Sequence, residues 1–172
     1  MRDASNPDLD IRWVPVGAGF LALWHRPSLK LLGALRKAGC DHLVTLLSER
    51  EGAPSIGEAA RAAGIEWIWQ PIPNARPPEG ELGRRLEAAL SAVSKLLENG
   101  SRVLVHCSAG IHRTGMFAYA LLRWRGQDRE AALAHVAEMR PHTREGLRDQ
   151  HLSWGDAVGA RSHSAGEGQP GG

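Results

Sequence analysis

Residues 103–115 read Val-Leu-Val-His-Cys-Ser-Ala-Gly-Ile-His-Arg-Thr-Gly. The Val-Leu-Val run suits a buried parallel strand, and RTGMFAYALLRWR (113–125) has helical periodicity, so residues 107–113 must form the loop between them. Such a loop turns its amide N–H groups toward one point at the positive end of a helix dipole. It also places Cys107 six positions before Arg113.

Each residue type there has a chemical reason. A helix N-terminus and a neighbouring cation favour the thiolate form of a cysteine, so Cys107 is expected to be a nucleophile. Arg113 offers a planar fork that grips two oxygens of a phosphate and follows them into the transition state. Ser108, Ala109, Gly110, Ile111 and His112 would supply the anion cradle, the first four through backbone N–H groups and His112 through added charge or a contact to the substrate. The other reading of His112 is an exposed loop residue without duty. Thr114 is placed to donate a hydrogen bond to the sulfur and ease its departure, and His106 to brace the loop from behind. The alternative for Cys107 is a small buried hydrophobe at a strand end. Against it, the pattern H-C-x-x-G-x-x-R-[ST]-G arises by chance on the order of once in a million chains of this size. No G-x-x-x-x-G-K-[ST] occurs, so the loop is not an ATP-type P-loop.

The loop resembles the signature of cysteine-dependent protein tyrosine phosphatases, and specifically the compact dual-specificity branch. GCDHLVTLLSERE (39–51) is similar to that family's strand and following Leu-Leu-x-x-x-Glu turn, GIEWIWQPIPNARPPE (64–79) to its second strand and general-acid loop, and EMRPHTREGLRDQ (138–150) to its closing helical segment. The resemblance spans about residues 12–156 and implies an α/β fold with a mainly parallel central sheet flanked by helices. It also implies hydrolysis of phosphoric monoesters through a phosphocysteine, with no cofactor. Gln150 then corresponds to a residue that positions the hydrolytic water, although a surface helix residue is the simpler reading. Glu49 or Glu51, after a strand, is placed either to hold the Arg113 fork or as a plain loop charge.

One position departs from the family. The aspartate that protonates the leaving oxygen is replaced by Asn74, and no aspartate lies between Asp41 and Asp128. Either Glu79 or Glu81 substitutes as the acid, or the enzyme works without one, or the chain binds phosphate without turnover. The glutamates also read as ordinary residues of a helix first turn. Working without an acid predicts a bias toward aryl phosphates, because a phenol with a pKa of about 10 departs with less help than an alkyl hydroxyl. The expected substrate is a phosphorylated protein or a small aryl phosphate. A pseudophosphatase, or a phosphatase acting on a phosphoinositide or nucleotide end, is the alternative; lipid phosphatases of this superfamily tend to carry loop lysines, and 108–112 have none.

The remaining sequence bounds this picture. At 172 residues the chain suits a single domain over 1–158, with a polar tail at 159–172 expected to be disordered. Lys+Arg 21 against Asp+Glu 19 gives a formal charge of +2, too balanced to advertise nucleic acid. Cys40 and Cys107 form no secreted disulfide framework; Cys40 reads as structural, with a redox partnership to Cys107 as the other option. The eight histidines show no metal-ligand spacing with cysteine, so no metal is expected. No apolar signal core or membrane-length run is present in the sequence, which predicts a cytoplasmic protein, expected to be a monomer.

Periodicity gives the elements. A hairpin at the sheet edge is expected over 11–24, a helix from Pro27-Ser28 to Gly39, strands at 42–47, 65–69 and 102–106, and helices at 55–63, 80–98, up to 125, 128–139 and 144–158. Among the tryptophans, Trp69 is the candidate pocket wall.

Overall fold

The computed structural model describes residues 9–166. Five strands, β1 (Val14–Val16), β2 (Gly19–Trp24), β3 (His42–Thr45), β4 (Glu66–Trp69) and β5 (Arg102–His106), form one sheet in the order β1-β2-β5-β3-β4. Only the β1–β2 hairpin is antiparallel; β2, β5, β3 and β4 run parallel. Val103, Leu104, Val105 and His106 are all buried, as are Leu43, Val44 and Thr45, so the central strands are covered on both faces. That explains why they read as continuous apolar runs rather than as alternations.

The helices are α1 (Leu32–Lys37), α2 (Ala53–Ala62), α3 (Gly80–Glu98), α4 (His112–Trp124), α5 (Arg129–Met139), α6 (Pro141–Glu145) and α7 (Asp149–Gly166). In α3, Leu86, Leu90, Val93 and Leu97 recur every three or four residues, and that stripe is fully buried. α4 is different, because Thr114 to Leu122 are buried without a break. A helix apolar on all sides must be enclosed, and α3, α5, α6 and α7 pack around it.

The strand register positions the loop after β5. Trp24 pairs with His106, His106 with Thr45, and Thr45 with Trp69, so these four residues form one row across the carboxyl ends of the parallel strands. The segments beginning at residues 25, 46, 70 and 107 therefore converge on one edge, where open α/β sheets bind ligands.

Three boundaries differ from the sequence reading. The strand expected at 42–47 ends at Thr45, and Leu46 and Leu47 turn inward as buried loop residues before the Ser48 turn. The helix expected at 144–158 is two helices: Pro141 starts α6, Gly146 caps it, and α7 begins at Asp149. Most of the tail expected to be disordered is helical, since α7 continues through Gly166. Its polar side chains find partners there: Arg161 is 2.6 Å from Glu87, and the Ser162 hydroxyl donates to the Trp124 carbonyl at 3.0 Å. Residues 167–172 lie outside the described residues, as does the start of the N-terminal stretch. Among the described residues no helix is long and apolar enough to cross a membrane.

Candidate active site

The loop from Cys107 to Ile111 is held by its carbonyl oxygens. His106 Nδ1 donates to the Cys107 oxygen at 3.0 Å, and the Arg26 amide to the Ser108 oxygen at 2.8 Å. Arg140 Nη1 reaches the Ala109 and Gly110 oxygens at 2.8 and 2.7 Å, and the Thr143 hydroxyl adds a second donor to Gly110 at 2.6 Å. A peptide is planar and trans, so a carbonyl pulled one way turns the next residue's N–H the other way. Pinning carbonyls 107–110 outward thus turns amides 108–111 to the opposite side, toward the start of α4. Among the described residues those amides donate to no protein group. The result is a concave array of donors at a helix N-terminus, a geometry that receives a tetrahedral anion.

His106 braces the loop through a directed chain. Trp67 Nε1 can only donate, and does so to Thr45 Oγ1 at 2.8 Å; Thr45 Oγ1 lies 2.8 Å from His106 Nε2. The Cys107 oxygen can only accept, so Nδ1 carries the ring proton and Nε2 accepts from the Thr45 hydroxyl. The ring is neutral, because burial brings the His106 pKa down to about 4. In an unfolded chain this group titrates near 6.5, so between about pH 6.5 and 4 the unfolded state binds the extra proton. The stability His106 contributes is therefore full above about pH 6.5 and is lost as pH falls toward 4. Urea unfolding at pH 7 and pH 5 should show this loss, and His106→Gln should flatten it.

Arg113 approaches the cradle from the first turn of α4. Its Nη1 and Nη2 hold Glu51 Oε2 and Oε1 at 2.9 and 2.8 Å, and Nη1 also reaches the Ile72 oxygen at 3.1 Å. Those three bonds occupy the end of the guanidinium. The guanidinium also lies against the Cys107 thiol, and its Nε–H and second Nη2 hydrogen have the spacing to take two phosphate oxygens. Of the two candidates Glu49 and Glu51, the structure selects Glu51. The Ser48 amide and hydroxyl hold its Oε2 at 2.8 and 3.0 Å. The hydrogen bond from Arg113 draws the Glu51 pKa down to about 2, and the same bond raises that of Arg113.

Thr114 is a correction. It is fully buried, and its Oγ1 has no hydrogen-bond partner among the described residues, so the bond to the sulfur expected from the sequence is not formed. A β-branched side chain in a helix has few rotamers, and packing of its methyl group decides where its hydroxyl points. His112 is exposed at the start of α4, where its Nδ1 donates to the Gly146 oxygen at 3.1 Å. Trp69 is 39% exposed, with its Nε1 donating to the Leu47 oxygen, and does not line the cavity described next.

The segment that follows Ile72, whose carbonyl Arg113 holds, borders a cavity of about 570 Å³ shared by Asn74, Arg76, Glu79 and Gln150; neither Arg113 nor Cys107 lines it. Asn74 folds back on its own loop, where Oδ1 accepts the Arg76 amide at 2.9 Å. The two glutamates separate. Glu81 is 71% exposed and paired with Arg84 at 2.7 Å, whereas Glu79, at the N-cap of α3, lines the cavity. Cys40 is buried near the other end of the sheet. Its neighbour Asp41 bonds the Arg102 oxygen, and the five residues from there to Cys107 span roughly 16 Å of strand, beyond disulfide reach. Burial also pushes the Cys40 thiol up to about 12, which makes it inert. Among the described residues no three His, Cys, Asp or Glu side chains gather as a metal site requires.

The family model described as "Tc-R-P: Polymorphic toxin system, DSP-PTPase phosphatase" matches residues 24–127. The chain belongs to that family. The matched segment runs from the end of β2 to just beyond α4 and contains the whole loop. Dual specificity protein phosphatase 12 of Rattus norvegicus is 27% identical over 158 residues, 88% of this chain, and this chain spans 46% of that relative's length. Tk-PTP in its active form superposes with a TM-score of 0.69 at 23% identity, over 86% of this chain and 95% of that one. PTPMT1 in complex with PI(5)P superposes at 0.70 with 17% identity, over 90% and 98%. These solved structures share the fold.

Sequence reasoning missed Arg140, Thr143, Thr45 and Arg26. Arg140 stands in a Met-Arg-Pro string that marked the closing segment, but nothing local ties it to carbonyls thirty residues away. Arg26 acts through its backbone amide, which carries no signature.

Proposed function

We propose that this chain hydrolyses phosphoric monoesters through a phosphocysteine at Cys107. The observation that carries the reading is the Arg113 fork, bonded to Glu51 and lying against Cys107, beside amides 108–111 that donate to no protein group among the described residues. In the first step the thiolate attacks phosphorus, a P–S bond forms, and the P–O bond to the leaving group breaks, an aryl oxygen departing as the phenolate and taking its proton from solvent afterwards. Arg113 and amides 108–111 hold the non-bridging oxygens while their charge redistributes. In the second step water attacks phosphorus, the P–S bond breaks, and phosphate and thiolate are released. Gln150, on the wall of the neighbouring cavity, orients that water.

The proton for the leaving group is the weak link. Asn74 has none to give, Glu81 is committed to Arg84, and Glu79 is the one carboxyl of the three candidate positions that lines the cavity. The enzyme therefore favours aryl esters. Phosphorylated protein tyrosine or a small aryl phosphate fits best, and the absence of lysine at 108–112 argues against a lipid headgroup such as the one PTPMT1 holds. The complete Arg113–Glu51 pair argues against a pseudophosphatase.

Acid quenching during turnover of an aryl phosphate, followed by mass measurement, should trap one phosphoryl group on the peptide containing Cys107. Turnover without that adduct would remove the mechanism. A panel of aryl phosphate, alkyl phosphate, phosphopeptides and phosphoinositide tests the preference. Asn74→Asp should raise alkyl turnover by about 10²-fold, the usual worth of a general acid, with a far smaller effect on aryl esters. No gain would show that Glu79 already supplies the proton.

A further inference from the structure

His151 lies outside the cradle, in the first turn of α7 next to Gln150. It is 1% exposed, with Nε2 2.8 Å from the Ala75 oxygen and Nδ1 3.1 Å from the Arg148 amide. The carbonyl can only accept and the amide can only donate, so Nε2 carries the proton and Nδ1 is the acceptor. Both bonds exist together only on a neutral ring. Burial lowers the His151 pKa, and the neighbouring His112 and Arg148 act in the same direction.

The far end of this contact is the segment where the family keeps its acid. Ile72 is held by Arg113 at 3.1 Å, Asn74 by its own turn at 2.9 Å, and Ala75 by His151. Asn74 and Gln150 both line the same cavity, and the imidazole bridges Ala75, the residue after Asn74, to Arg148, two positions before Gln150. We propose that His151 is a positioning residue, whose ring ties residues 72–76 to the start of α7 and sets Asn74 against Gln150 across the cavity they share, next to the Ile72 carbonyl that Arg113 holds. The inference rests on the phosphatase reading for its kinetic consequence, but the tether itself is measurable without turnover.

His151→Leu keeps bulk and removes both bonds; His151→Gln keeps an N–H donor close to the position of Nε2. In the leucine variant, amide exchange at Asn74, Ala75 and Arg76 should quicken by about tenfold or more, and kcat for an aryl phosphate should fall by about tenfold. Inhibition by inorganic phosphate should stay within about twofold, because separate donors hold the cradle; the glutamine variant should recover most of both losses. Unchanged exchange or unchanged kcat in the leucine variant overturns the inference. So does phosphate inhibition that weakens in step with kcat, which would make His151 a support of the whole fold. If the leucine variant does not fold, nitrogen NMR of the parent decides: an Nε2–H neutral ring upholds the tether, and an Nδ1–H or charged ring at neutral pH overturns it. A parent that turns over no ester would remove the phosphatase reading while exchange and tautomer still decide on His151.

Discussion

Replacing Cys107 with serine should lower turnover of an aryl phosphate by about 10⁴-fold or more, the scale on which hydrolases lose rate with their nucleophile. A thiol ionises far more readily than an alcohol, and a serine hydroxyl here has no adjacent base to take its proton. His106 does not serve as that base. Its Nδ1–H is spent on the Cys107 carbonyl and its Nε2 faces Thr45. On the proposed reading binding should survive the change, because the oxygens of a bound phosphate would meet amides 108–111 and Arg113, which Glu51 and the Ile72 carbonyl hold in place. Titration calorimetry with inorganic phosphate should give a Kd within a few-fold of the parent. Serine is nearly isosteric, and Cys107 is 3% exposed, so the fold is retained. A variant that keeps even about one hundredth of parent turnover would mean that another group attacks phosphorus.

What the sequence revealed of this site, and what it concealed, follows from distance along the chain. Cys107, Arg113 and amides 108–111 occupy a few consecutive residues between one strand and one helix, so their spacing alone implies their meeting. α3 was legible for a similar reason: its leucines satisfy one local period. His106, and Glu51 as one of two candidates, were legible as supports, but the contacts that close the site were not. Glu51 meets Arg113 across 62 positions, Arg140 meets Gly110 across 30, and His151 meets Ala75 across 76. The register Trp24–His106–Thr45–Trp69 brings the segments after the strands to one edge, and the packing of α5, α6 and α7 on α4 brings Arg140 and His151 there.

Two misreadings have chemical causes. Thr45 in His-Leu-Val-Thr-Leu-Leu reads as an ordinary β-branched strand residue, yet it passes a hydrogen bond from Trp67 to His106. The segment from Gly159 reads as disordered because it is small and polar, and composition does not show that Arg161 and Ser162 have Glu87 and Trp124 waiting. The departure at Asn74, by contrast, was visible at once, since the residue lacks an acidic proton whatever its surroundings.

Gly110→Ala should damage the cradle itself. Gly110 has φ of +70°, and a Cβ built there would stand 2.2 Å from the Trp24 oxygen, 2.5 Å from its carbonyl carbon and 2.5 Å from Arg140 Nη1. Arg140 is a side chain and can move, at the cost of its two bonds to the loop. Trp24 is backbone at the end of a central strand and cannot. The loop must therefore shift away from β2, which pulls Ser108 from the Arg26 amide and tilts amides 109–111 off their common point. Strain plus overpacking should cost about 1–3 kcal/mol, or about 3–10 °C in Tm for a chain of this size. Misplacing donors by about 1 Å should cost about 10²-fold in turnover, with inorganic phosphate binding weakened in parallel. Gly64→Ala separates the two causes: Gly64 has φ of +79° with nothing within 4 Å of the added carbon. It should show only the backbone penalty of about 1 kcal/mol and full activity. Equal losses of activity in the two variants would mean that the close approach of Trp24 does not set the shape of the loop.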